Sequence, residues 1–187
     1  MTEAIRRGGR LPDDAGRMVT WSIADGRRGR RWRWTVVDRR GTLLVTHTLE
    51  TDPDGQFLGL ESASPPGLLT LHREPDGSVH GNRVSERGVD HLTVEAPAPG
   101  AVLIGGTELG VAILLGALPH PVSRVTLDVL EIFDDLGVRI ASAAIRADAE
   151  GIWEVRTNRL SRRAHIGADG LPESAERDAE SWPLEGP

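Results

Sequence analysis

The sequence predicts a mainly β fold, an antiparallel meander that closes into a barrel or splits into a sandwich. Three observations predict it. Apolar and polar residues alternate over short stretches: Trp32, Trp34 and Val36 alternate with Arg33, Thr35 and Val37, and Leu43, Val45, His47 and Leu49 continue the period. Successive strand side chains point to opposite faces, so this period marks strands with one buried face. Acidic glycine turns recur at Asp52-Pro53-Asp54-Gly55, Glu74-Pro75-Asp76-Gly77, Asp134-Asp135-Leu136-Gly137 and Ala149-Glu150-Gly151. The stretches between them are short, so sequence neighbours pair, and so wide a sheet must curl or divide to limit its exposed edges.

Taken in order, residues 1–17 are polar, rich in Gly and Arg and without periodicity, which predicts a flexible basic arm. Strands follow near 18–23, 32–39, 43–51, 56–62, 67–73, 78–85, 89–96, 100–105, 123–133, 138–147 and 151–156. Pro65-Pro66 ends one strand, and Pro97-Ala98-Pro99 separates two others. The run at 107–118 is apolar on both faces, so periodicity does not settle its state. A buried helix capped by Thr107 and closed by Pro119 is preferred, and a fully buried strand is the alternative. From about Thr157 the chain is densely charged, which predicts a disordered tail. The organisation expected is an arm (1–17), one β-rich domain (18–156) and a tail (157–187).

At 187 residues the chain can build one sizeable core. Its net charge of −6 is uneven: residues 1–40 hold eleven Arg against five acids, and the rest holds eleven Arg against 23 acids. All 22 basic residues are Arg, with no Lys and no Tyr, as GC-rich coding would produce. The absence of Cys excludes disulfides, thiolate metal ligands and a Cys nucleophile. No apolar run follows Arg6, Arg7 and Arg10, so no signal peptide is expected, and no window reaches the ~20 apolar residues of a membrane span. A cytoplasmic location is the simplest expectation.

Four constellations could carry chemistry. Gly105, Gly106 and Thr107, between an apolar strand and a helix start, could present N–H groups to a phosphate. The spacing departs from G-x-G-x-x-G and lacks a P-loop Lys, so a structural glycine turn is favoured. In the hairpin around Glu86-Arg87-Gly88, a register with Val84 facing His91 sets Asn82 against Thr93 and His80 against Glu95. His80 and Glu95 would then be an acid–base pair, although a polar face is also what solvent requires. His47, His72, His120 and His165 lack metal-ligand spacing, His72 and His80 are expected on opposite faces, and no metal or cofactor is expected. Arg27, Arg28, Arg30, Arg31 and Arg33 around Trp32 and Trp34 invite a nucleic-acid reading. Overall acidity argues against it, and favours an amphipathic strand behind a basic turn.

The order of Trp32-Arg33-Trp34, the acidic turn through Gly55, Leu71 with Asp76-Gly77, Gly88-Val89-Asp90-His91-Leu92, and Asp148 with Gly151-Ile152-Trp153 resembles the bacterial glycolipid-binding β-barrel proteins. These pieces span most of residues 32–156. The resemblance implies a curved barrel and a lipid-like ligand. The family's Asn- and Pro-containing signature is replaced here by Pro99-Gly100-Ala101-Val102, so no contact residues carry over.

The functional expectation is a non-catalytic binding protein for a small apolar or lipid-like molecule, held in a barrel cavity. Trp32, Trp34, Leu43, Val45, Leu49, Leu127 and Val129 would line it, with Asn82 and His91 nearby, and the same residues would serve equally as core. Two alternatives stand beside it. One is a cyclase or isomerase using His80 and Glu95 in that cavity. The other is an interaction or nucleic-acid adaptor acting through the Arg-rich head.

Overall fold

The computed structural model describes residues 5–12, 15–105, 107–118, 123–174 and 176–177. The chain begins as a meander of β1 (Ile5–Pro12), β2 (Met18–Gly26), β3 (Gly29–Val37), β4 (Leu43–Thr51), β5 (Phe57–Ser64), β6 (Gly67–Arg73), β7 (Val79–Ser85) and β8 (Gly88–Val94). Each pairs antiparallel with the next. After a crossing near Ala98 come β9 (Val102–Ile104), α1 (Glu108–Gly116), β10 (Arg124–Ile132), β11 (Val138–Ala147), β12 (Ile152–Arg156), β13 (Ser161–His165) and the short β14 (Glu176–Arg177). The first sheet has the order β14-β1-β2-β3-β4-β5-β6-β7-β8 and the second β13-β12-β11-β10-β9. β9 and β10 are parallel, joined through α1.

The acidic turns have one repeated geometry. Gly41, Gly55, Gly77 and Gly151 each donate their N–H to the carbonyl three residues back, at Asp38, Asp52, Glu74 and Asp148. Each of these glycines has positive φ. That is a type I turn closed by a left-handed residue, the usual three-residue hairpin loop. Asp38, Asp52 and Asp148 add a carboxylate that accepts two further backbone N–H groups. At Phe133–Gly137 the left-handed position is taken by Leu136 at φ 65 instead of the glycine. Leu136 is almost wholly buried, and that burial offsets a backbone cost of about 1–2 kcal/mol.

The apolar run forms the helix α1, buried on all sides. Leu109 and Ile113 join a core made by the inner face of the first sheet, where Val19, Trp21, Trp32, Trp34, Val45 and Leu49 point. Val111, Leu114 and Leu115 join a second core with Leu103, Val129, Ala143 and Val155 from the other sheet. A helix apolar all round has to be enclosed, and two sheets enclose this one. Its approach is close at Gly110, where a Cβ would lie 2.0 Å from the Ile104 carbonyl oxygen. Arg73 secures the crossing between sheets by donating to the carbonyls of Ala98 (2.8 Å) and Pro99 (3.0 Å).

Several expectations are corrected. Residues 5–12 of the expected arm form β1, with Leu11 fully buried, and the expected tail contributes β13, β14 and the buried Leu171. The mainly β fold with a buried helix at about 107–118 is as expected; β8 and β14 are the edges of the first sheet, so among the described residues the meander does not close through hydrogen bonds, and the strands divide into two sheets. The β7–β8 register is shifted by two: Val84 faces Val89, Asn82 faces His91 and His80 faces Thr93. His72 and His80 are direct cross-strand neighbours, with ring centroids 6.4 Å apart, rather than on opposite faces. Gly106, Pro119 and His120 lie outside the described residues.

Gly110→Ala separates helix propensity from packing. Propensity alone favours Ala by about 1 kcal/mol. The contact with Ile104 reverses the sign, and urea unfolding should show a loss of roughly 1–3 kcal/mol. A more stable variant would mean that α1 is not pressed against β9.

Candidate functional site

The solvent face of the first sheet is built from the residues between the buried ones. Cross-strand neighbours form rows there: Gly8, Ser22, Arg33, Thr48 and Glu61 in one, and Arg10, Thr20, Thr35 and Thr46 in the next. Sheet twist leaves a groove of about 670 Å³ over this face, walled by Arg6, five Ser and Thr hydroxyl groups, Arg33 and Glu61. Thr35 and Thr46 hydroxyls lie 3.1 Å apart, so the two hydroxyls bridge β3 and β4.

Several charged residues around the groove and on the second sheet are held in ion pairs. Asp25 accepts from both Arg7 (2.8 Å) and Arg30 (2.5 Å), Arg31 pairs with Glu50, and Arg83 donates to Asp90 at 2.8 Å. The fully buried Glu131 is held by Arg139 and by the Thr157 hydroxyl at 2.8 Å. Arg6, Arg33 and Glu61 make no ion pair with any described residue. Arg33 and Glu61 stand two strands apart on either side of Thr48, a span of about 10 Å. A second hollow of about 650 Å³ surrounds the Arg27–Arg31 turn, but Arg30 and Arg31 there are already neutralised.

Behind the groove, on the inner face, Trp21, Trp34, His47 and Ser62 form one buried row. His47 Nδ1 lies 2.7 Å from the Ser62 hydroxyl, and its ring packs on Trp34 with centroids 4.5 Å apart. Burial pushes the His47 imidazole down to about 4.

The residues expected to line a cavity are mostly core. Trp32, Trp34, Val45, Leu49 and Val129 are each no more than 3% exposed and packed into the cores, although Trp34 also backs the groove and Trp32 borders a smaller hollow of about 240 Å³. Leu127 packs part-buried against the second core. Leu43, beside the bulge between Val36 and Val37, is 46% exposed, and Leu44 touches the core in its place. Asn82 and His91 meet each other on the solvent face, His91 Nδ1 lying 2.6 Å from Asn82 Oδ1.

The His80–Glu95 pair is not assembled. His80 Nε2 lies 3.0 Å from the Ser78 hydroxyl and Nδ1 3.3 Å from Thr93. Ser78 in turn donates to Asp76 at 2.7 Å, and these bonds hold the Asp76 carboxyl below its usual range. Ser78 is buried, so this chain of contacts tightens a turn and offers no exposed nucleophile. Glu95 follows the end of β8 and contacts no partner among the described residues.

Of the glycine turn, Gly105 donates its N–H to Ile132, Thr107 is buried with its hydroxyl unpartnered among the described residues, and Glu108 places a carboxylate in the first helical turn, which disfavours an anion there. No cluster of three or more metal-binding side chains exists among the described residues, and no described helix is long and apolar enough to cross a membrane.

No family model matches the chain, and no curated protein or solved structure matches it either. The groove residues that the sequence reading passed over were nevertheless signalled by it. Arg33, Thr35, Thr46 and Thr48 are the positions that alternate with the buried Trp, Val, His and Leu.

His47 gives the fold a testable pH dependence. Its folded value near 4 lies below the unfolded 6.5, so the unfolded chain binds the extra proton first. The stabilisation is complete above pH 6.5 and is lost as pH falls toward 4, by up to roughly 3 kcal/mol. Urea titrations across that range should show the slope, and His47→Gln should flatten it. An unchanged slope in the variant would place its origin elsewhere.

Proposed function

We propose that the chain is a non-catalytic binding protein whose ligand lies along the solvent-face groove of β1–β5. The ligand is hydroxyl-rich and acidic, of the sugar-acid type. The observation that carries this reading is the unpaired Arg33 and Glu61 flanking Thr48 in a groove lined by five hydroxyl groups. A guanidinium takes a carboxylate in a two-pronged hydrogen bond, a carboxylate accepts from sugar hydroxyls, and Thr and Ser hydroxyls do both. Their span of about 10 Å suits a disaccharide-sized ligand.

An apolar ligand has less support, because the side chains proposed to receive it form the packed cores. The resemblance to glycolipid-binding proteins is a second ground for a ligand bearing a sugar. Catalysis at His80 and Glu95 is the weaker reading, since both His80 ring nitrogens already face hydroxyl groups. We place the protein in the cytoplasm, on the composition grounds given above.

Calorimetric titration with a uronic-acid disaccharide and its neutral counterpart tests the proposal. The acidic sugar should bind more tightly. Arg33→Ala should weaken it tenfold or more, about 1.4 kcal/mol, and Glu61→Ala should weaken both sugars. Neither variant should shift the melting temperature, because both side chains are exposed. His80→Ala and Glu95→Ala should leave affinity unchanged. Equal affinity for the two sugars, or for wild type and Arg33→Ala, would defeat the reading.

A further inference from the structure

The outer face of the second sheet concentrates positive charge on a chain of net charge −6. One transverse row reads Arg124, Arg146, Glu154, Arg163 across β10, β11, β12 and β13. Arg156 stands in the adjoining row, opposite Ala144, which in turn faces Thr126. Two hollows of about 180 and 310 Å³ share Arg146, Glu154 and Arg156 as walls. The smaller is also lined by Arg124, Thr126 and Ala144. We propose that this smaller hollow is a phosphate-binding site, with Arg124, Arg146 and Arg156 as its cations, the Thr126 hydroxyl as a further donor and Ala144 as its floor.

Three features carry the inference. Arg124 and Arg146 are direct cross-strand partners, and like charges in that relation repel. Arg124 has no ion-pair partner among the described residues, so the repulsion is relieved there only in part, by the Glu154 carboxylate that pairs with Arg146. A bound oxyanion would relieve the rest. Next, the nearly buried Glu154 acts as a positioning group. Its two oxygens accept from Arg146 Nε (2.5 Å) and Arg156 Nε (2.6 Å), fixing both guanidiniums by their inner edges. Both arginine side chains nevertheless keep more than 60% of their surface exposed, so further N–H donors are open to an incoming ligand. Third, the floor is small. A long residue at 144 would fill the space between the arginines, whereas the exposed Ala144 leaves it open.

The geometry points to a compact oxyanion rather than a long polyanion. The positive row is one strand-pair deep, and it is bounded by Asp148, which pairs with Arg163 at 3.0 Å, and by Asp128 on β10. Arg163 is thereby partly neutralised and lies in the larger hollow, away from Arg124. The site is separate from the groove on the first sheet and does not depend on its ligand.

Inorganic phosphate and glycerol phosphate are the probes, titrated at constant ionic strength and followed by amide chemical shifts. Saturable binding is expected, with shifts centred on residues 124–126, 144–146 and 154–156. Arg146→Gln and Arg124→Gln should each weaken it tenfold or more, and Arg163→Gln should weaken it much less. Ala144→Leu should abolish binding without altering any charge. All four positions are exposed, so the melting temperature of each variant should stay near wild type, which keeps loss of binding distinct from loss of fold. Arg33→Ala should leave phosphate binding unchanged, which keeps this site distinct from the groove. Tighter binding of the ester would mark a phosphomonoester ligand and equal binding free phosphate, and either supports the site. Non-saturable shifts, binding that survives both Ala144→Leu and Arg146→Gln, or capture of single-stranded DNA without phosphate binding would overturn it.

Discussion

Enclosure of α1 is the constraint on which the rest of the structure depends. A nine-residue helix with Leu, Ile, Val and Ala on every side exposes too much apolar surface to sit on one sheet. The first sheet takes Leu109 and Ile113, and the second takes Val111, Leu114 and Leu115. Division into two sheets follows from the same requirement. The C-terminal end of the helix is tied to the turn before β5: the Gln56 side-chain Nε2 donates to the Ala117 carbonyl at 3.2 Å, and Gly55 would strike the Gly116 carbonyl if it carried a Cβ. With α1 in the interior, a hollow of about 240 Å³ beside Trp32, Ile113 and Gly116 remains between the helix and the first sheet, smaller than the groove on the outer face.

The outer faces of the sheets carry both Arg–acid pairs and unpaired charges. Exposed pairs contribute little stability, with a median of about 0–1 kcal/mol. Their larger effect is to silence charge that would otherwise attract partners indiscriminately. Arg33 and Glu61 on one sheet, and Arg124 on the other, are among the charges that have no ion pair with a described residue. Each sits beside hydroxyl-bearing neighbours and above a hollow, Thr48 with Arg33 and Glu61, Thr126 near Arg124. Unspent charge combined with concavity and hydroxyl donors is what separates these places from an ordinary solvated face.

Local chemistry explains what was legible in the sequence. The Asp-x-x-Gly turns are specified by four residues, so their positions could be read directly. The placement of Trp32 and Trp34 on one face and Arg33 on the other follows from the two-residue period alone. The β7–β8 register was not legible, because a slip of two preserves every face and no local signal opposes it. β1 escaped notice for a different reason. Its inner positions are Arg7, Gly9 and Leu11, and only Leu11 looks like a core residue. Its strand state comes from pairing with β2 and β14 rather than from its own propensity. The groove was hidden because concavity is a property of sheet twist over five strands, which no single stretch of sequence encodes.

The buried row of Trp21, Trp34, His47 and Ser62 links core to groove. It lies on the same strands as Ser22, Arg33 and Thr48, one residue out of step, so the position of each groove side chain depends on how its buried neighbour packs. Trp21 Nε1 and His47 Nε2 have no hydrogen-bond partner among the described residues. The contacts around His47 explain why that nitrogen cannot be rescued by rotation. Ser62 holds Nδ1 and Trp34 covers the ring, so turning the imidazole to satisfy one nitrogen would sacrifice the other and the stack. What holds the row is the Ser62 contact and the packing of His47 on Trp34, and not the unpaired nitrogens. A packed row behind Arg33 and Thr48 fixes their backbone spacing, which would lower the ordering entropy of the binding proposed above.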